Sequence, residues 1–195
     1  KIDNLGPIRS LKKLNQLRII ENNIYDLEPL SGLTKLESLY FSSNRVSNID
    51  PLGSLIALES IDAIGNNIID ITTLSKLTNL QFIMFGNNRI TDISAVSNLI
   101  KLYSIDFSRN SIKYIPDLSN LIRIEEMEMN MNEVENILVI SKLATLQSID
   151  FNSNKIKDIS PIANLEHLIE ANFTNNPLDN IDWKAKFPHI DKLLI

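Results

Sequence analysis

The sequence has no cysteine, which removes disulfide frameworks, thiolate metal ligands and cysteine nucleophiles at once. With five glycines in 195 residues it has no Gly-rich phosphate loop, and no GxSxG stretch supplies a nucleophile elbow. The two histidines, His167 and His189, lack a Cys or second His at metal-ligand spacing, so each reads as a surface residue rather than a ligand. No apolar run reaches the roughly 18 residues needed to span a bilayer, so direct membrane insertion is not expected. The opening KIDNLGPIRS contains no signal-peptide core. Cations are also in deficit, with 19 Lys and Arg against 24 Asp and Glu and a net charge of -5. That balance argues against nucleic acid, whose phosphates need clustered Lys and Arg, and favours a protein partner with a basic surface. No cofactor or metal is implied.

What the chain has in quantity is repetition. Leu11, Leu33, Leu55, Leu77, Leu99, Leu121, Leu143 and Leu165 recur with a period of 22 and no insertion. Asn22, Asn44, Asn66, Asn88, Asn110, Asn132, Asn154 and Asn176 keep the same period, as do Leu14, Leu36, Leu58, Leu80, Leu102, Ile124, Leu146 and Leu168. A single domain over 1–195 is expected, with eight full repeats at 11–32, 33–54, 55–76, 77–98, 99–120, 121–142, 143–164 and 165–186. Both ends fall inside a repeat, so the chain is expected to be part of a longer protein.

The string LxxLxxLxLxxNxIxxIxxL, as in LKKLNQLRIIENNIYDLEPL, resembles the leucine-rich repeat. Pro7, Pro29, Pro51 and Pro161 close several repeats, and the wording DISPI, DITTL and DISAV is similar to the 22-residue subtype of bacterial internalins. Sds22-like phosphatase regulators are the alternative resemblance, while YIPDL and NILVI in repeats five and six depart from the pattern. The resemblance implies an α/β leucine-rich repeat solenoid, a horseshoe with a parallel β-sheet on its concave face and 3₁₀ or extended segments on its convex face. It also implies a non-enzymatic protein-recognition module, extracellular or on a bacterial cell surface in the internalin reading and cytoplasmic in the other.

Elementary chemistry leads to the same fold. Alternation in QLRII puts Leu17 and Ile19 on one side and Gln16, Arg18 and Ile20 on the other, so each repeat supplies a short half-buried strand. The recurring amide can pair backbone groups of the bend that follows. The return leg is too short and too interrupted by proline for a regular α-helix, which leaves extended chain and 3₁₀ turns. Lys184 breaks the core pattern and Trp183 is the sole tryptophan, so the last repeat is expected to be modified, with Trp183 at the edge of the core.

Function in such a fold is expected on the strand side chains that the core does not use. The central outward column runs Arg18, Tyr40, Asp62, Met84, Asp106, Glu128, Asp150 and Asn172. Two residues earlier the column runs Gln16, Ser38, Ser60, Phe82, Ser104, Glu126, Ser148 and Glu170; two residues later it starts with Ile20, Ser42 and Ile64. Ile20, Tyr40, Ile64, Phe82 and Met84 are expected to form an exposed apolar patch for binding. Asp106, Glu126, Glu128, Asp150 and Glu170 form an acidic zone whose members, on strands about 4.8 Å apart, should repel one another. No enclosing pocket suggests glycoside chemistry for these carboxylates, and a flat stripe does not converge as a calcium site must. In EEMEMNMN, residues 125–132, the register sends Met127 and Met129 to the core, Asn132 to the bend, and Met131 to the surface.

Overall fold

A computed structural model describes all 195 residues. Nine strands of three residues each recur at the predicted positions. They are β1 (Gln16–Arg18), β2 (Ser38–Tyr40), β3 (Ser60–Asp62), β4 (Phe82–Met84), β5 (Ser104–Asp106), β6 (Glu126–Glu128), β7 (Ser148–Asp150), β8 (Glu170–Asn172) and β9 (Lys192–Leu194). All lie in one open parallel sheet in sequence order, and residues one repeat apart face each other, as with Arg18 opposite Tyr40 and Asp106 opposite Glu128. The architecture is the expected repeat solenoid.

The period of two within each strand turns its middle residue inward, buried in β2 to β8 and partly buried in the end strands β1 and β9. Leu39, Ile61, Ile83, Ile105 and Met127 are at most 1 % exposed, and they join one continuous cluster of 54 buried apolar residues. Two positions further on, Phe41, Phe85, Phe107, Phe151 and Phe173 form an aromatic column with no exposure. Phe151 and Phe173 stack at 5.9 Å, and Met129 fills the same column in β6's repeat with 0 % exposure. Flexible methionine suits a gap between two such rings.

The bend after each strand is held by the asparagine column, and its bonds cross between repeats. Asn132 Nδ2 donates to the Met129 carbonyl of its own repeat at 3.0 Å and to the Phe107 carbonyl of the preceding one at 2.9 Å. Its Oδ1 accepts the Ile112 N–H at 3.0 Å. Asn44, Asn66, Asn88, Asn110 and Asn154 repeat the arrangement. Just before each amide stands a residue with positive φ, from Glu21 to Asn175, and only Gly65 among them is glycine. The left-handed backbone costs a side-chain-bearing residue about 1 kcal/mol, so the amide bonds must outweigh strain at nearly every turn. Met131 occupies this position with φ 55 and 42 % exposure, as the register predicts.

Short 3₁₀ turns form most of the return legs, and each is started by a side chain. Asn4, Asp26, Asn48, Asp70, Asp92, Asn136 and Asp158 each accept the N–H two residues on, at the head of the turn. Repeat five has Tyr114 at this place, which offers no such acceptor, and no 3₁₀ turn forms there. Tyr114 instead stands 81 % exposed. The departure in YIPDL therefore alters structure, whereas NILVI, which keeps Asn136, forms a regular turn at Leu138–Lys142. In the last repeat a four-residue helix, α1 (Trp183–Lys186), replaces the 3₁₀ turn. Trp183 is 3 % exposed, stacks on Phe187 at 6.0 Å and donates its indole N–H to the Asp179 carbonyl, which is the core-edge role expected of it.

Replacing Asn132 by Leu should destabilise the chain by roughly 1 to 3 kcal/mol, because backbone groups of two repeats lose their partner. Met127→Ala should cost about 2 to 5 kcal/mol through the cavity it leaves. Urea denaturation measures both, and an unchanged midpoint for Asn132→Leu would refute the bridging role.

Candidate recognition face

The outward side chains of the nine strands form one continuous face, and strand pairing puts the central column in a single row. The apolar zone is less exposed than the sequence suggests. Phe82 is 41 % exposed, but Ile20, Tyr40, Ile64 and Met84 are largely covered, because each strand's neighbours stand about 4.8 Å away and shield its flanks. Arg18 covers part of Tyr40, its guanidinium carbon 5.8 Å from the ring centre. The Tyr40 ring is therefore in contact with a cation of the neighbouring repeat.

Sequence reading overlooked Tyr103, one residue before β5. Its ring packs against Phe82 with centroids 5.7 Å apart and planes tilted by 51°. The phenol donates to a Glu125 carboxylate oxygen at 2.7 Å, and this bond, with a smaller contribution from burial, raises its pKa above the ordinary 10.0. Gln147 donates to the same carboxylate oxygen, so one ladder of side chains links three repeats along the sheet margin. The available signal was the column Glu37, Glu59, Gln81, Tyr103 and Glu125, in which an aromatic interrupts polar residues.

In the acidic zone the carboxylates divide into two kinds. Asp106 accepts the Ser108 N–H at 2.7 Å and Asp150 the Asn152 N–H at 2.8 Å. Asp62 likewise accepts the Ile64 N–H at 3.1 Å and the Ser42 hydroxyl at 2.8 Å. These aspartates support the chain leaving the strand, so their presence on the face has a structural reason as well as an electrostatic one. The expected repulsion along the column remains, and Asp106 and Asp150 have this second role beside it. Gly86 makes room for one of them, since a Cβ there would lie 3.0 Å from Asp106 Oδ2.

Glu128 is different. It stands between Asp106 and Asp150 in the row and its carboxylate makes no hydrogen bond, and partial burial followed by the charges of Asp106, Asp150 and Glu126 raises its pKa above 4.5. Glu170 is paired with Lys192 on β9 at 3.2 Å. An open hollow of about 230 Å3 runs between Glu128, Asp150, Glu170 and Lys192. Glu126 and Glu128 are the exposed, unpaired acids of the zone, and they flank Met127 on one strand.

Comparison with known proteins places this geometry. The leucine-rich repeats (2 copies) family matches residues 34–77 and 78–120. No curated protein matches the chain. Among solved structures, the internalin inlF of Listeria monocytogenes is similar over 100 % of this chain at 28 % identity with a TM-score of 0.95. The chain spans 58 % of that internalin's length. Internalin C2 of the same organism matches over 95 % of this chain and 82 % of its own, at 22 % identity and TM-score 0.86. A plant peptide hormone receptor, solved in complex with RGF2, shares the fold at 23 % identity and TM-score 0.83, over 97 % of this chain and 33 % of its own. Such solenoids are typically non-enzymatic interaction modules.

Glu128→Gln should stabilise the fold at neutral pH. A carboxyl whose folded pKa is raised costs stability once ionised, so the advantage of Gln is full above the raised pKa and disappears below the ordinary 4.5. Thermal melts of both proteins between pH 4 and 8 measure it. An advantage that persists undiminished in acid would contradict the electrostatic cause.

Proposed function

We propose that this chain, a leucine-rich repeat protein resembling the internalins, recognises a protein with a basic surface through the concave face of its sheet. The observation that supports the reading is the division of that face into an aromatic and aliphatic zone on β1 to β4 and an acidic zone on β5 to β8, within which Glu126 and Glu128 are unpaired. Apolar side chains grouped on one rigid sheet supply binding energy when a partner displaces their water. The neighbouring carboxylates steer a cationic partner into register and disfavour an anionic one.

The residues in named roles are Phe82, Met84, Ile64, Ile20 and Tyr40 as apolar anchors, with Arg18 presenting the Tyr40 ring. Glu126 and Glu128 meet basic side chains directly. Asp62, Asp106, Asp150 and Glu170 extend the negative field while bonding within the fold. No chemistry at the carboxylates is part of the reading. The likeness to internalin inlF favours a place on a bacterial cell surface, as part of an adhesin, over the phosphatase-regulator alternative.

Changing Tyr40, Phe82 and Met84 together to Ser should abolish partner binding in a pull-down while the melting curve remains cooperative. Glu126→Lys with Glu128→Lys should slow association with a basic partner by about tenfold at low salt, and by less at high salt, in surface plasmon resonance. Undiminished binding by the triple variant would refute the concave-face reading.

A further inference from the structure

The strongest feature left unexplained lies off the sheet face, on the turn that leads into each strand. Ile56, Ile100 and Ile122 hold the second position of their repeats and are 60 %, 53 % and 67 % exposed. Ile100 and Ile122 are on consecutive repeats, about 5 Å apart at the strand spacing. Neither belongs to the buried cluster, so the fold does not need them there.

Each of these two is followed by an exposed cation, Lys101 or Arg123. Side chains of that column meet across repeats: Lys101 Nζ donates to Asn79 Oδ1 at 2.6 Å, and Asn79 Nδ2 to the Ile56 carbonyl at 2.8 Å. Repeats three to five are thus tied together along this column. Every ion pair in the chain lies elsewhere, on Lys113, Lys142, Lys155 and Lys192. Lys101 and Arg123 have no carboxylate partner within the molecule.

We propose that this rim is a second docking surface, separate from the sheet face, and that it takes an acidic amphipathic helix of a partner protein. Charge sets the sign, since two unpaired cations beside an apolar ridge are complementary to carboxylates beside apolar side chains. Spacing sets the form. A helix presents one apolar residue per turn of about 5.4 Å, close to the ~4.8 Å between repeats, and acids a turn apart on its flank face the cation column. A flat anionic membrane fits worse. It would also meet the column holding Glu37, Glu59 and Glu125, whereas a helix about 10 Å across engages a narrower band.

The test uses the intact chain and a synthetic peptide of about five helical turns, with one leucine per turn flanked by glutamates. In a fluorescence titration the peptide should bind the unmodified chain and gain helicity by circular dichroism. Ile100→Ser with Ile122→Ser, and separately Lys101→Glu with Arg123→Glu, should weaken binding by about tenfold or more without lowering the melting temperature. The peptide with each Glu changed to Lys should bind the charge-reversed chain instead. Met84→Ser should leave affinity for the peptide unchanged, which separates this surface from the sheet face. No binding, or equal affinity for the unmodified and rim-substituted chains, overturns the proposal. So does rim-dependent capture by phosphatidylserine vesicles in place of the peptide, or rim-dependent self-association in sedimentation.

Discussion

A solenoid built from 22-residue turns must bury a bend of backbone once per turn, and the backbone bonds that continue between repeats there, such as Met131 N–H to the Asn152 carbonyl, leave the Phe107 and Met129 carbonyls and the Ile112 N–H without a backbone partner. The asparagine column resolves this. One side-chain amide bonds carbonyls of its own repeat and the one before, and its oxygen takes an N–H of the preceding return leg, so each amide closes its own bend and binds two repeats together. The left-handed residues before each amide, the phenylalanine column above and the 3₁₀ turns beyond all rely on that closure. With the interior fixed by a few repeated positions, the remaining side chains are free to differ.

The surface that results carries opposite characters in different places. The sheet face joins an aromatic and aliphatic zone to a strip of carboxylates, two of which also bond the backbone. The turns entering the strands carry exposed isoleucines and unpaired cations. One rigid scaffold can in this way present two chemically distinct surfaces without either disturbing the core. Repeat five, where Tyr114 displaces the usual turn-starting acceptor, is a local interruption of the return side and leaves the sheet unbroken.

Much of this was legible in the sequence because the pattern is periodic. The columns of Leu and Asn set strand positions, register and core, and they correctly sent Met127 and Met129 inward and Met131 outward. What was not legible depends on where a side chain ends rather than where it starts. The reach of Asn132 to residues 107 and 112 spans a whole repeat, and the same holds for Arg18 over Tyr40 and for Tyr103 on Phe82. Shielding of Ile20, Ile64 and Met84 by adjoining strands could not be judged from alternation alone, since alternation gives a side chain's direction but not its neighbours' height. The double duty of Asp106 and Asp150 was hidden for a similar reason: a carboxylate two residues before a backbone N–H reads as charge until the bend is seen.

Four methionines report on three environments: Met84 on the sheet face, Met127 and Met129 in the core, and Met131 at a bend. Methyl NMR of the chain with isotope-labelled methionine, recorded free and saturated with its protein partner, tests sheet-face recognition most directly. Met84 should shift strongly while Met127 and Met129 hold their positions. A partner that shifts Met131 and leaves Met84 unmoved would contradict recognition through the sheet face.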